Sequence, residues 1–185
     1  MNSLKVVLSL SLIILSQNLL SQSFTTLTRN EFRSIQLDDK VSIGELIDEK
    51  NYESKLESLF GQPVDKECYR NPITEYACNI EYFGFTLKFD YGDFVYEIHL
   101  DQGNRFLNYN GSSLRTGMSL FQLNTIFSQS YQNRYSVVKD NGANEVHIVK
   151  VEVETQGDDY NAILFYYNPD SNLVTQISVI FPVEV

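Results

Sequence analysis

The chain has 185 residues, of which 43% are hydrophobic and 21% charged, with nine glycines and four prolines; this balance is typical of a globular protein and excludes a disordered polyampholyte, a collagen-like repeat and a multi-pass membrane protein. Aspartate and glutamate outnumber lysine and arginine by 24 to 14, which gives a formal net charge of −10, and this field repels a phosphate backbone, so nucleic acid is not expected as a partner. Two histidines and two cysteines leave little material for metal or nucleophilic chemistry.

The first 23 residues have the three-part pattern of an export signal. Lys5 supplies a positive charge, residues 6–15 form an apolar run, and Ser21 and Ser23 precede a cleavage site. The apolar run is about half of the roughly 20 residues that span a bilayer. We therefore predict residues 1–23 to be a signal peptide and the rest to be exported, to the periplasm or the extracellular space, without a membrane anchor. Loss of Lys5 takes the formal charge from −10 to −11.

The two cysteines, Cys68 and Cys78, are separated by nine residues that include Asn71 and Pro72, a turn signal. An even number of cysteines in an exported chain favours a disulfide, and this spacing suits a bridge across a hairpin or loop. A redox-active pair, the alternative, prefers the spacing Cys-x-x-Cys at the start of a helix. We predict a structural disulfide between Cys68 and Cys78.

Residues 24–40 form an N-terminal extension in which Phe32, Ile35 and Leu37 fit either an edge strand or an ordered coil. Two later segments have the pattern of a capped amphipathic helix. Ser42 with Glu45 and Ser119 with Gln122 have the spacing of a capping box. After them, apolar residues recur with the helical period at Tyr52, Leu56 and Leu59, and at Leu120, Leu123 and Phe127. Gly61 followed by Pro63 is a helix stop.

After the first helix the chain changes to the period of two that is typical of strands. The alternating apolar positions are Phe85, Leu87, Phe89 and Tyr91, then, beyond a turn at Gly92-Asp93, Phe94, Tyr96, Ile98 and Leu100. This pattern predicts a half-buried antiparallel hairpin.

The second helix is followed by two predicted hairpins. Strands at 135–139 and 145–154 are joined through Asn141-Gly142, a strong hairpin signal. In 145–154 the apolar positions change face after Ile148, which predicts a β-bulge there. A second hairpin joins 162–167 to 173–181 through a turn at 168–172.

Strand 162–167 is apolar on both faces. If Ala162, Leu164 and Tyr166 pack beneath the helices, a set of three residues on the opposite face is left for a protein interface: Ile163, Phe165 and Tyr167. The alternative is that the strand is buried on both faces, as two-faced apolar strands usually are.

The two halves of the chain are similar. Residues 54–63 align with 121–130 at an offset of 67, with matches at Leu56 and Leu123, Phe60 and Phe127, and Gln62 and Gln129. We therefore predict a strand-dominated α+β fold of two similar halves, 41–110 and 111–185, each with one helix packed on an antiparallel sheet.

The entry to the second helix resembles that of two related exported modules. The residues that carry the resemblance are Gly117, Met118, Ser119, Leu120, Leu123 and Phe127. The modules are the tandem-repeat fold of the β-lactamase-inhibitor-protein type and the small lipoproteins of the outer-membrane assembly machinery. In the first half, residues 42–45 lack the Gly-Met-Ser order, and no lipidation cysteine follows the signal. The resemblance implies a non-enzymatic fold that binds proteins through an exposed sheet face.

Candidate chemistry is limited to two strand histidines, His99 near Glu97 and His147 near Glu145. Each histidine–carboxylate pair could orient a base or contribute to a metal site, but no nucleophile is identifiable, and solvent-facing histidines are the expected interpretation. The aspartate pairs at 38–39 and 158–159 are interpreted as solvated turn charges. No catalytic, metal or cofactor residue is predicted.

These patterns predict an exported, non-enzymatic protein-binding module. One form is a periplasmic inhibitor or immunity-type protein, whose acidic surface covers the site of a basic partner protein. The alternative is a structural or assembly component of the bacterial cell envelope, and a second alternative is a hydrolase that depends on His99 or His147.

Overall fold

A computed structural model describes residues 23–48, 53–70, 77–89, 95–139, 144–155 and 161–181. The helices of this part are α1 (Arg29–Ser34), α2 (Ile43–Asp48), α3 (Glu53–Phe60), α4 (Leu120–Ile126) and α5 (Ser128–Gln132). The strands are β1 (Thr26–Leu27), β2 (Gln36–Leu37), β3 (Val41–Ser42), β4 (Asp65–Tyr69), β5 (Ala77–Tyr82), β6 (Phe85–Phe89), β7 (Val95–Leu100), β8 (Leu107–Tyr109), β9 (Ser112–Leu114), β10 (Tyr135–Lys139), β11 (Asn144–Val153), β12 (Ala162–Asn168) and β13 (Leu173–Ile180).

This confirms a strand-dominated α+β fold with antiparallel sheets. The signal-peptide prediction concerns residues 1–23, of which only Ser23 is among the described residues. Within the described residues, no helix combines the length and the apolar character that crossing a membrane requires.

Nine of the strands form one sheet. Eight of them follow the order β1-β11-β12-β13-β7-β6-β5-β4. The ninth, β10, pairs with β11 on the same side as β1. All of these pairings are antiparallel except that of β1. At the centre β13 pairs with β7, so that Ile177 lies opposite Leu100 and Val179 opposite Ile98. Strands β3, β2, β8 and β9 form a separate four-stranded sheet.

In the described part of the chain, two helical segments precede each run of four consecutive strands, where the sequence predicts one helix. Helices α2 and α3 precede β4–β7, and α4 and α5 precede β10–β13. In the second pair the break falls at Phe127, whose φ of −128° and ψ of 62° are not helical. Its amide still donates to Leu123 O at 2.8 Å, and its ring is buried in the core. Phe127 thus ends α4 and anchors the junction.

The predicted capping boxes are confirmed. Ser42 and Glu45 exchange hydrogen bonds at the start of α2, and Ser119 and Gln122 do so at the start of α4. A third capping box, between Thr28 and Glu31, begins α1. Because of α1, Phe32 lies in a helix, and only the last part of the predicted edge-strand segment, β2, forms a strand.

The Gly-Met-Ser motif before α4 is anchored to the last strand. Gly117, at a φ of +80°, donates from its amide to Val174 O at 2.7 Å, and Val174 donates to Met118 O at 2.9 Å. The turn between β12 and β13 is the predicted one, and Asn168 Oδ1 accepts from the amides of Asp170 and Ser171.

The bulge predicted in β11 is wrong, because its register runs without interruption against both β10 and β12. Val146 and Ile148 face one side of the sheet, and Val149 and Val151 face the other, so the strand is apolar on both faces and keeps a regular alternation. Register shifts occur instead between Tyr166 and Tyr167 and between Lys88 and Phe89.

The first predicted hairpin is confirmed as β6–β7, with one correction. The register shift at Lys88 and Phe89 places Val95 opposite Phe89, and Val95 is buried in the core while Tyr96 is half-buried. Two predicted turns, at Gly92-Asp93 and Asn141-Gly142, lie outside the described residues.

The predicted disulfide is confirmed. Cys68 on β4 and Cys78 on β5 lie opposite each other in the antiparallel register and are bonded. The bridge therefore fixes the edge strand β4 to its only described neighbour.

Candidate functional site

The two faces of the nine-stranded sheet are covered differently. The helices direct their apolar side chains, among them Phe32, Leu46, Leu56 and Leu123, into one large core with the residues of one sheet face. The other face, here called the open face, carries a separate small cluster that consists of strand residues alone among those described. Among the described residues, no helix side chain belongs to this second cluster, and a sheet face without a helix layer is a candidate binding surface.

The structure places the predicted binding residues on the wrong face. Ile163 and Phe165 are fully buried in the helix-side core, and Tyr167 packs against it. Phe165 meets the ring of Phe127 with 5.8 Å between ring centroids. The sequence shows that side chains of β12 alternate between two faces. Which of these faces meets the helices depends on pairing with distant strands.

The open face has an apolar half. Ile148, Ala162 and Leu164 are buried there, and partly buried residues surround them. We call this set the apolar patch: Tyr135, Val146, Ile148, Ala162, Leu164, Tyr166 and Ile180. Phe24 borders the patch, with its ring centroid 6.2 Å from that of Tyr135. Strand β12 is thus apolar and largely buried on both faces, as the alternative interpretation of its sequence expects.

The other half of the open face is polar and connected across three strands. Lys88 Nζ on β6 donates to Glu97 Oε2 on β7 at 2.8 Å. His99 Nε2 lies 2.7 Å from Glu97 Oε1. On β13, Gln176 Nε2 lies 2.7 Å from His99 Nδ1, and Ser178 Oγ lies 3.3 Å from the same nitrogen. We call these five residues the polar network.

Gln176 and Glu97 contact the two ring nitrogens of His99. The Gln176 amide nitrogen is a donor, so His99 Nδ1 accepts its hydrogen bond. His99 Nε2 is buried. Glu97 Oε1 is close to it, but the angle between them is too poor for an N–H hydrogen bond. Burial raises the pKa of Glu97, but its contacts with His99 and Lys88 outweigh burial and hold that pKa below its ordinary value.

The network brings a hydroxyl, an imidazole and a carboxylate together, which the sequence did not reveal. Ser178 comes from a strand 79 residues beyond His99, and only the β7–β13 pairing joins them. Ser178 is fully buried, and Gln176 lies closer than Ser178 to the same His99 nitrogen. Ser178 Oγ is therefore shielded from solvent in this conformation, and the contacts of Gln176 and Ser178 with His99 join β13 to β7.

The second histidine lies elsewhere. His147 is on the helix side of β11, with its ring centroid 5.5 Å from that of Tyr167, whereas His99 is on the open face of β7. The two histidines therefore do not meet. Among the described residues, no three His, Cys, Asp or Glu side chains are grouped closely enough to hold a metal ion.

Of the aspartates at 38–39, interpreted from the sequence as solvated turn charges, Asp39 is exposed in a turn as expected, whereas Asp38 is not solvated. Asp38 forms a largely buried ion pair with Arg105, and Asp39 accepts from Asn108 Nδ2 at 2.6 Å. Residues 158–159 lie outside the described part of the chain.

In comparisons with known proteins, no family model, no curated protein and no solved structure gives a significant match to this chain.

Proposed function

We propose that this protein is an exported, non-enzymatic module that binds another protein through the open face. The observation that carries the proposal is the division of the sheet into a helix-covered face and a face whose separate apolar patch is formed by strand residues alone among those described.

The open face combines two properties of a recognition surface. Its apolar patch supplies aromatic and aliphatic contact area, with Tyr135 and Tyr166 only partly buried. Its polar network fixes Glu97 and His99 by cross-strand contacts before any partner arrives. Side chains ordered in advance lose little conformational entropy on binding.

We further propose that the chain is a tandem repeat of two helix-pair-plus-four-strand units that share one sheet. The order of elements supports this, because α2, α3 and β4–β7 recur as α4, α5 and β10–β13. Each unit begins with a capping box, at Ser42 and at Ser119. The two ways of matching the units differ in one respect. The order of elements matches α2 with α4, whereas the sequence alignment at an offset of 67 matches α3 with α4.

The charge of the chain favours a basic partner. A net charge of −10 attracts positively charged proteins and accelerates their association at low ionic strength. A periplasmic inhibitor or immunity-type role fits this charge and the resemblance of 117–120 to the inhibitor fold. A component of the cell envelope is the alternative within the same binding class.

A photo-crosslinking experiment tests the use of the open face. The crosslinking amino acid p-benzoylphenylalanine replaces Tyr166 in the apolar patch and, as a matched control, Phe121, which is 75% exposed on α4. We expect one crosslinked protein of defined mass from position 166 in native cells and none from 121. Crosslinks from 121 alone, or from neither position, would contradict the proposal.

Salt and fractionation separate the two forms of partner. An inhibitor should form a one-to-one complex that survives in the soluble fraction and weakens as salt rises from 0.05 M to 0.5 M. A structural component of the envelope should sediment with membranes, and its crosslinked product should stay in that fraction.

A second candidate, a hydrolase, is favoured by the 3.3 Å distance between Ser178 Oγ and His99 Nδ1. A fluorophosphonate probe, which labels activated serines, tests it directly. If the probe labels the wild type but not Ser178→Ala, hydrolysis is supported. If the network is structural, the probe should label neither protein.

A further inference from the structure

The two outer strands of the nine-stranded sheet have opposite chemical character. Strand β4 carries three charged residues among its five, Asp65, Lys66 and Glu67, and Cys68 ties it to β5. Strand β10 has the sequence Tyr-Ser-Val-Val-Lys. Charge on an edge strand is the usual protection against pairing with another chain. By this criterion β4 is protected, whereas β10 carries one charged residue, Lys139 at its end, and none at 135–138.

The middle of β10 is exposed on both faces of the sheet. Val137 is 42% exposed on the open face, opposite Val146 of the apolar patch, and Val138 is 61% exposed on the helix side. Among the described residues, β10 pairs with β11 only. In an edge strand alternate residues turn their N–H and C=O groups outward, so this part of the edge offers unpaired backbone groups beside two exposed valines.

We propose that β10 is a β-addition site, at which an extended segment of the partner protein pairs with the edge at 136–138. This inference rests on the proposed function and deepens it, because it specifies how the partner is held. The added strand would place alternate side chains beside Val137, where they continue the apolar patch, and beside Val138 on the helix side. Backbone hydrogen bonds supply affinity in this mode, and the alternating side chains supply specificity.

The occupant is a segment of a different, basic protein and not a second copy of this chain. Stable dimers bury roughly 1,200–2,000 Å², and pairing between two five-residue edges falls short of that area. Two copies, each with a net charge of −10, also repel each other. A basic partner has the complementary charge, and it can add contacts to the open face beside the strand that it inserts.

The test uses a defined peptide probe of ten residues, with alternating valine and threonine and two lysines at each end. Backbone amide signals of the full-length protein are followed by NMR as the peptide is titrated into the millimolar range. We expect shifts that saturate and are centred on 136–138, with amide exchange there slowed at least tenfold. Two control peptides, one with two central prolines and one with glutamates in place of the lysines, should bind at least tenfold more weakly.

Protein variants locate the site. Val138→Lys places a charge on the proposed edge, and Tyr69→Lys makes a matched change at a residue 39% exposed on the opposite edge, β4. Val138→Lys should weaken peptide binding at least tenfold, while Tyr69→Lys should leave it unchanged. Since the side chains of Val138 and Tyr69 are both exposed, both variants should retain wild-type thermal stability.

The outcomes separate this inference from the proposed function. If p-benzoylphenylalanine at 166 crosslinks a partner while the peptide leaves the signals of 136–138 unchanged, open-face binding stands and β-addition is overturned. Equal binding of the proline-containing peptide would also overturn it. If sedimentation shows a dimer that Val137→Lys converts to a monomer, the occupant is a second copy and the assignment to a basic partner is wrong.

Discussion

Arg105 Nη1 lies 2.6 Å from Asp38 Oδ2, and this ion pair joins the chain after β7 to the turn between β2 and β3. Both side chains are largely buried, and their remaining groups are also bonded. Asp38 Oδ1 accepts from the Phe106 amide at 3.0 Å, and Arg105 Nε donates to Phe83 O at 2.8 Å. Arg105 therefore connects the small sheet, the large sheet and the turn between β5 and β6.

Removal of one member of this pair should be strongly destabilising. Arg105→Gln leaves the Asp38 carboxylate buried without its charged partner, and loss of one member of a buried pair costs roughly 3–5 kcal/mol. Urea unfolding monitored by circular dichroism measures the change. The matched control is Asp48→Asn, which breaks the exposed ion pair with Arg33 and should cost less than about 1 kcal/mol. Equal effects of the two substitutions would show that Arg105 has no special structural role.

The interpretation of Asp38 as a solvated charge failed for a definable reason. Adjacent aspartates in a polar segment are typical of an exposed turn, and nothing near them in the sequence identifies a partner. Asp38 and Arg105 are 67 residues apart and meet only because β2 pairs with β8. Local patterns predict local structure, and a long-range ion pair leaves no local pattern.

Gly84 offers a second test of packing around Arg105. Gly84 has a φ of +89°, and a Cβ atom there would lie 2.9 Å from Arg105 Cγ and would also overlap the Asn104 side chain. Gly111 has a similar φ of +79°, with no atom near its missing Cβ. The strain of a left-handed alanine, about 1–2 kcal/mol, is common to both substitutions, and the overlap adds roughly 1–3 kcal/mol at position 84 alone. The thermal unfolding temperature of Gly84→Ala should thus be well below that of Gly111→Ala. The reverse order would contradict the packing described.

Tyr82 should tolerate loss of its hydroxyl. The side chain is buried and stacks on Phe85, and its hydroxyl has no hydrogen-bond partner among the described residues. Burial, together with the charges of Glu53 and Glu57, raises the pKa of Tyr82 to about 12, so it stays protonated. An unsatisfied buried polar group costs about 1–3 kcal/mol, and Tyr82→Phe should therefore stabilise the protein or leave it unchanged.

Tyr109→Phe is the control, because the Tyr109 hydroxyl is hydrogen-bonded to Glu31. Its loss should destabilise the protein slightly, because a satisfied hydroxyl is removed. The comparison is made by urea unfolding of both variants, and a marked loss of stability in Tyr82→Phe would reveal a partner for that hydroxyl.

The sequence predicts local features of the fold well and its long-range arrangement less well. Capping boxes, the disulfide and the turn at 168–172 depend on residues close together in the chain, and each is confirmed. The faces of β12 depend on which strands flank it and on where the helices pack, so Ile163 and Phe165 were assigned to the wrong side. Of the polar network, the sequence placed only Glu97 and His99 on one face, since Gln176 and Ser178 arrive through the β7–β13 pairing.

The disulfide should contribute to stability through the unfolded chain. Cys68 and Cys78 are 10 residues apart, and closure of a loop of this size contributes about 2–3 kcal/mol in the chain-entropy model. The double variant Cys68→Ser, Cys78→Ser should lose this amount in urea unfolding. A reducing agent should destabilise the wild type equally and leave the double variant unaffected. Because the bridge lies at the β4 edge, peptide binding at β10 should survive its removal.

The stability of the protein should depend on pH through Glu97. Its pKa in the folded state lies below the ordinary value of 4.5, because contacts with His99 and Lys88 outweigh the effect of burial. As the pH falls, the unfolded chain therefore takes up this proton before the folded protein does. The stabilisation by Glu97 is fully present above pH 4.5 and is lost as the pH falls below 4.5 through the folded-state pKa.

Glu97→Gln isolates this contribution. At pH 7 the wild type should exceed the variant in free energy of unfolding by about 1.5–3 kcal/mol, the usual contribution of hydrogen bonds to a charged group. The difference should shrink below pH 4.5, because the wild-type carboxylate becomes neutral like the glutamine amide. Glu81→Gln, at an exposed residue of β5, is the control and should follow the wild-type curve. A difference that stays constant from pH 7 to pH 3 would mean that His99 and Lys88 do not stabilise the charged form of Glu97. The polar network would then not hold Glu97 in place for the proposed binding surface.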